Sequence, residues 1–233
     1  MLSVFVNTLT VLAGSLIGIL FRNHIKESLR ESIMKALGLC TILIGVISAI
    51  ETKELLCLII CMVLGTLIGE LLRIDDGIEH AGDTIKSKLF KGKAGNAGLE
   101  SFTDGFVSAS ILFCIGSMTI VGSLEAGIRH NYSIIFAKSM MDFVSSMAFG
   151  AAMGFGVTCS AAFVFVFQGA LVLLASWVGP ALSDAVVTEM SAVGGVILIG
   201  MGLNLAGCTQ ERIRVANMLP AIFLPILYLA LFK

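Results

Sequence analysis

The residues of this chain best suited to chemistry are Lys138 and Asp142, four positions apart inside an otherwise apolar stretch. Four residues is about one helical turn, so the two side chains share a face. Charged groups in hydrocarbon are costly and tend to mark ion or substrate paths. A buried carboxylate beside a lysine can exchange that partner for a proton, a sodium ion or a substrate amine, and such an exchange is a plausible coupling step. The same spacing also suits a self-neutralising strut that only holds helices together. Gln168 falls near the middle of another apolar run, and Asn204 and Asn217 flank a short polar turn. Asn7, Thr8 and Thr10 line part of the first segment. Each could hydrogen-bond across helices with no further role; grouped with Lys138 and Asp142 they form a polar strip through a bundle.

Glycines add to this set. Gly116 and Gly122 surround Ser117 and Thr119, and Gly194-Gly195, Gly200 and Gly202 form a dense run. Both stretches mark places where a helix could unwind and expose backbone, which at membrane depth is tolerated only against protein or water. Pro220 and Pro225 interrupt the final apolar segment and free carbonyls there. The candidate pathway is therefore Lys138, Asp142, Gln168, Asn204, Asn217, Gly116, Ser117, Gly194 and Gly195. Asp104 and Glu70 sit at span ends and read as interfacial.

Enzymatic readings find little support. No His-Glu-x-x-His motif, Walker motif or dinucleotide fingerprint occurs. His24, His80 and His130 all fall outside the apolar segments, and Asp142 is the one carboxylate well inside. Cys57 and Cys61 are a helical turn apart, but no Cys-x-x-Cys or adjacent His accompanies them, so they read as small packing residues. No metal and no cofactor is expected. A net charge of −1 excludes the basic face that nucleic-acid binding needs.

The elements that must position these residues follow from composition. The chain is 57% hydrophobic and 13% charged, with 25 Gly and 3 Pro, and its mean hydropathy is +1.00. Soluble domains are about half apolar and about a quarter charged. The expected fold is all-α, a polytopic transmembrane bundle. Apolar runs of bilayer-crossing length place eight spans at Leu2–Phe21, Ser32–Ile50, Glu54–Leu72, Gly105–Leu124, Ser133–Met153, Val157–Val178, Val186–Ala206 and Val215–Phe232. The fourth is a candidate broken or re-entrant element. The first lacks a basic leader region and reads as a retained helix. With the N-terminus outside, eleven Lys and Arg fall on inside segments and three outside, which supports both termini outside.

The chain divides into membrane helices at 1–73, a cytoplasmic stretch at 74–104 and membrane helices at 105–233. In the middle stretch, Ile74, Ile78, Ala81, Ile85 and Leu89 recur at helical spacing, as in an amphipathic helix lying on the inner face. Lys91-Gly-Lys-Ala-Gly-Asn-Ala-Gly98 is a candidate hinge. Gly14-Ser-Leu-Ile-Gly18 with Arg22 parallels Gly65-Thr-Leu-Ile-Gly69 with Arg73, a weak sign of internal repetition. Gly14/Gly18, Gly65/Gly69 and Gly150/Gly154 are Gly-x-x-x-Gly pairs, each opening one helix face to a neighbouring backbone.

Several stretches carry a family resemblance: Ala36-Leu-Gly-Leu-Cys40, Phe106-Val-Ser-Ala-Ser-Ile-Leu-Phe-Cys-Ile-Gly116, Lys138-Ser-Met-Met-Asp142, Gly154-Phe-Gly-Val157, Gln168-Gly-Ala170, Val193-Gly-Gly-Val-Ile-Leu-Ile-Gly-Met-Gly-Leu-Asn204 and Asn217-Met-Leu-Pro-Ala221. They span nearly the whole chain. On them the chain resembles the YdfK/YqgA-like bacterial membrane proteins, a domain of unknown function. The resemblance implies a multi-span protein of the bacterial inner membrane, of transporter type, and brings no substrate or established site residue with it. The expectation is a secondary transporter that moves a small solute or ion across the bilayer by alternating access, as a homodimer. The rivals are a passive channel and a non-transporting scaffold or signalling protein.

Overall fold

The computed structural model describes the chain except for residues 23–26, 78–79, 81–95, 115–116, 129, 179–182 and 233. The described residues are mostly helical and contain no strand. In order the helices are α1 (Leu2–Arg22), α2 (Glu27–Ala49), α3 (Leu55–Leu72), α4 (Asn96–Cys114), α5 (Ser117–Ile128), α6 (Ser133–Met153), α7 (Phe155–Leu173), the short α8 (Ala175–Val178) and α9 (Asp184–Ala206). A 3-10 helix at Val215–Phe223 then continues into α10, Leu224–Phe232.

Six of these, α1, α2, α3, α6, α7 and α9, are each long and apolar enough to cross a membrane. The expected fourth span is a pair, α4 and α5, bent by 59° at its break. Gly105, midway along α4, lies against Met153 and Val157, while Gly127, near the end of α5, lies against Val172 and Ala175. The pair therefore follows α7 from one end to the other, as a broken span does and a re-entrant loop does not. The expected eighth span is a shorter apolar rod, Val215–Leu231. Pro220 lies inside its 3-10 half and Pro225 opens the α-helical half, where a missing N–H is harmless.

The helices of the first segment pack on those of the last. A Cβ placed on Gly18 of α1 would come within 2.1 Å of the Met147 carbonyl oxygen in α6. One on Gly45 of α2 would come within 2.6 Å of the Gly195 carbonyl oxygen in α9, and one on Gly69 of α3 within 1.8 Å of that of Asn217. Real Cβ atoms cannot sit so close, so the helices meet backbone to backbone, a packing mode suited to membranes. This corrects one expectation. The helix α9 runs unbroken through Gly194 and Gly195; Gly195 permits close approach to α2 and does not unwind the helix. The turn between α6 and α7 does require glycine, because Gly154 has φ +80°.

The amphipathic helix expected from Ile74 to Leu89 lies mostly outside the described residues, which show a helical turn at 74–77. Of the candidate hinge, 91–95 lies outside them, and 96–98 opens α4. Large apolar side chains on α2 and α3, among them Leu39, Leu43, Leu56, Val63 and Leu71, face outward. On a bilayer-embedded bundle that surface needs no water-compatible cover.

Candidate functional site

Three continuous helices bring the polar candidates together. Asn7 on α1, Lys138 and Asp142 on α6 and Gln168 on α7 are all buried, with Asn7 and Gln168 at 0% exposure and the charged pair at 6% each. Lys138 Nζ donates to Asp142 Oδ2. Asn7 Nδ2 donates to the same Asp142 oxygen at 3.1 Å and to Gln168 Oε1, also at 3.1 Å. The ammonium also lies over the Phe113 ring of α4, 5.9 Å from its centroid, a favourable cation–π position. Two polar atoms of this cluster remain without a partner among the described residues, Asn7 Oδ1 and Gln168 Nε2. Each such buried orphan costs about 1–3 kcal/mol.

The cluster lies between two apolar layers. Towards the end of the bundle where α1 begins, the amino face, Val4, Ala126, Ile135 and Val172 form one packed group with Tyr132 and Phe165 against it. Towards the opposite face, Val11, Phe113, Phe149, Met153, Ala161 and Val164 belong to a second group. The register is that of a helix. On α1 the order is Val4, Asn7, Val11; on α7 it is Val172, Gln168, Val164; on α6, Ile135 precedes the charged pair and Phe149 follows it. Asn7 and Gln168 each lie five residues from their helix ends at the amino face, roughly 7 Å deep.

Beyond the second layer, at the opposite face, is a cavity of about 350 Å³. Met34, Asp104, Ser108, Met153, Met201, Asn204, Thr209 and Arg212 are among its lining residues. Met153 belongs to both the cavity wall and the apolar layer. Arg212 and Asp104 form an ion pair at 3.1 Å, each about two-fifths exposed.

Not every predicted residue joins the cluster. Asn204 clasps a loop: its amide donates to Ile213 O at 2.8 Å while its oxygen accepts from Ile213 N at 3.0 Å and Thr209 Oγ1 at 3.2 Å. It lines the cavity and lies apart from Lys138 and Asp142. Asn217 Oδ1 accepts from Asp75 N at 2.7 Å, so it holds the turn after α3. Thr8 and Thr10 return their hydroxyls to the α1 backbone, at Val4 O and Asn7 O. Gly116 lies outside the described residues, and Ser117 begins α5. Thr119 Oγ1 donates across the break to Phe113 O at 3.2 Å, meeting one carbonyl that the interruption frees.

One buried carboxylate has no counterpart in the sequence reading. Glu189 of α9 is 1% exposed and accepts from Thr52 Oγ1 at 2.6 Å, Lys53 N at 2.7 Å and Glu54 N at 3.1 Å. It thereby caps the start of α3 with negative charge, where the helix dipole favours it. Its position three residues inside the span expected at Val186–Ala206 was the available signal. No group of three or more potential metal ligands occurs among the described residues. Cys57 and Cys61 face each other with sulfurs 3.8 Å apart.

Comparison with known proteins places the chain in a family. It belongs to the family described as "Protein of unknown function (DUF554)", whose pattern matches residues 2–230. It is 28% identical over 224 residues to the "Uncharacterized membrane protein YdfK" of Bacillus subtilis (strain 168), covering 94% of this chain and 91% of that one. It is 30% identical over 220 residues to the "Uncharacterized protein YqgA" of Escherichia coli (strain K12), covering 94% and 92%. No solved structure matches. With its long apolar helices and a membrane-protein relative, the chain is a multi-pass membrane protein.

Proposed function

We propose that this protein is a secondary transporter of a small solute or ion in the bacterial inner membrane, working by alternating access. The observation that carries the reading is the layering: a polar cluster with two orphaned hydrogen-bonding atoms, closed by apolar side chains on both sides, with a cavity beyond one layer. A strut needs no unmet donor and acceptor. A passive channel needs a continuous wet path, and two apolar layers oppose one. In this reading the form described here is occluded, the layer of Asn7, Lys138, Asp142 and Gln168 holds the transported species, and the cavity at Asp104 and Arg212 is the vestibule on one side.

The Lys and Arg distribution turns the amino face outward, so the cavity opens to the cytoplasm. Asp104 and Arg212 then sit at the inner mouth. Two copies would meet lipid and each other through the apolar faces of α2 and α3.

The test is Asp142→Asn in proteoliposomes. Asparagine keeps the shape and can still meet Asn7, but it lacks the charge that Lys138 neutralises. Saturable flux should fall at least about tenfold while the variant still purifies as a folded, monodisperse protein. Full flux in a folded Asp142→Asn variant would remove the pair from the pathway.

A further inference from the structure

We infer that the buried polar layer takes a small solute of zero net charge carrying both a hydrogen-bond donor and an acceptor, namely a zwitterion or a neutral amide. The inference deepens the transport reading above and rests on it.

The argument begins with Asp142. An ionised carboxylate only accepts, so the side chain of Asn7 must turn its NH2 towards it. That NH2 then meets Gln168 through the glutamine's carbonyl oxygen. One carboxylate thus sets the orientation of both amides. What remains is an acceptor, Asn7 Oδ1, and a donor, Gln168 Nε2, both on fully buried side chains and both without a partner among the described residues. Water has both functions, as does any solute with a donor and an acceptor. A metal cation could be coordinated by Asn7 Oδ1 but would leave the Gln168 Nε2 donor unmet.

Charge narrows the class further. Lys138 and Asp142 cancel, so the layer is neutral as it stands. A lone cation would face the ammonium, and a lone anion the carboxylate; either would add an unbalanced charge within hydrocarbon. A zwitterion avoids this. Its carboxylate can take Lys138 as its ammonium takes Asp142, so every charge keeps an opposite partner while the protein's own pair opens. A neutral amide could bridge Asn7 and Gln168 and leave the pair closed.

The experiment uses the full-length protein and four solute series: zwitterions beginning with glycine, neutral amides beginning with acetamide, carboxylates beginning with acetate and amines beginning with methylammonium. The last two are the charged halves of the first. Melting temperature is measured in detergent, and saturable counterflow in proteoliposomes. Zwitterions or amides should raise Tm by several degrees and exchange, and the charged halves should do neither. Which of the two series acts separates the two sources. In Gln168→Met, which loses the donor, apparent affinity should drop about tenfold or more, with the unliganded Tm reporting whether the variant is folded. If acetate or methylammonium carries the saturable flux, the solute class is wrong and the transport reading stands. If no series moves, or only water fills the layer with no solute effect on Tm, the solute class falls, and the Asp142→Asn flux test decides the transport reading separately.

Discussion

Among the described residues two carboxylates are buried, and their surroundings differ in kind. Glu189 is met by a hydroxyl and two backbone N–H groups from one short stretch, Thr52 to Glu54. Both of its oxygens accept a hydrogen bond. Asp142 is met by an ammonium and an amide from two helices, and the chain of amides that starts at it ends in two unmet atoms. A buried acid is therefore no sign of function by itself. The two acids differ in whether the hydrogen bonding around them closes.

Three measurements sharpen or break that contrast. The largest effect is expected from Lys138→Met, which leaves Asp142 buried beside Asn7 alone. Removing one partner of a buried ion pair costs about 3–5 kcal/mol, to be read as a lowered Tm. The double variant Lys138→Met with Asp142→Leu should regain most of that stability and carry no flux. A double variant that transports normally would make the pair a strut, like Glu189.

Next in size is Glu189→Ala, which strands three donors. Unmet buried groups cost about 1–3 kcal/mol each, and relaxation into water at the bundle end should hold the total loss to about 3 kcal/mol. The folded Glu189→Gln variant should lose less and keep wild-type flux and solute preference. If its flux instead collapses with Tm nearly unchanged, the distinction drawn between the two acids fails. The smallest effect is expected at the cavity rim. Asp104 and Arg212 are both substantially exposed, and exposed pairs contribute about 0–1 kcal/mol. Arg212→Gln should shift Tm little, and less still in high salt.

The sequence made some of this legible for clear physical reasons. Runs of apolar residues of bilayer length mark helices, since lipid leaves a backbone few other choices. Lys138 and Asp142 stand out by spacing, and Gln168 by polarity amid apolar neighbours. Asn204 and Asn217 look the same as Gln168 in sequence, yet each serves a loop, because an asparagine does not announce its partner. Glu189 was missed because a carboxylate near a span end reads as interfacial; only the fold brings Thr52 to Glu54 over it. The glycines of α9 show the same ambiguity. A helix-weakening run and a contact face have the same composition, and the presence of α2 alongside decides between them. The apolar layers were likewise hidden, since Val4, Ile135 and Val172 are ordinary until three helices align.

The glycine contacts also bear on how the bundle is made. The helix α1 meets α6, α2 meets α9, and α3 meets the 3-10 helix that starts at Val215. As the chain emerges from the ribosome, the first three helices enter the bilayer long before their partners are synthesised. Until then the notches at Gly18, Gly45 and Gly69 face lipid or one another. Assembly must wait for the later helices, and a chain stalled before Val215 would leave the notch of α3 open to whatever other helix is near.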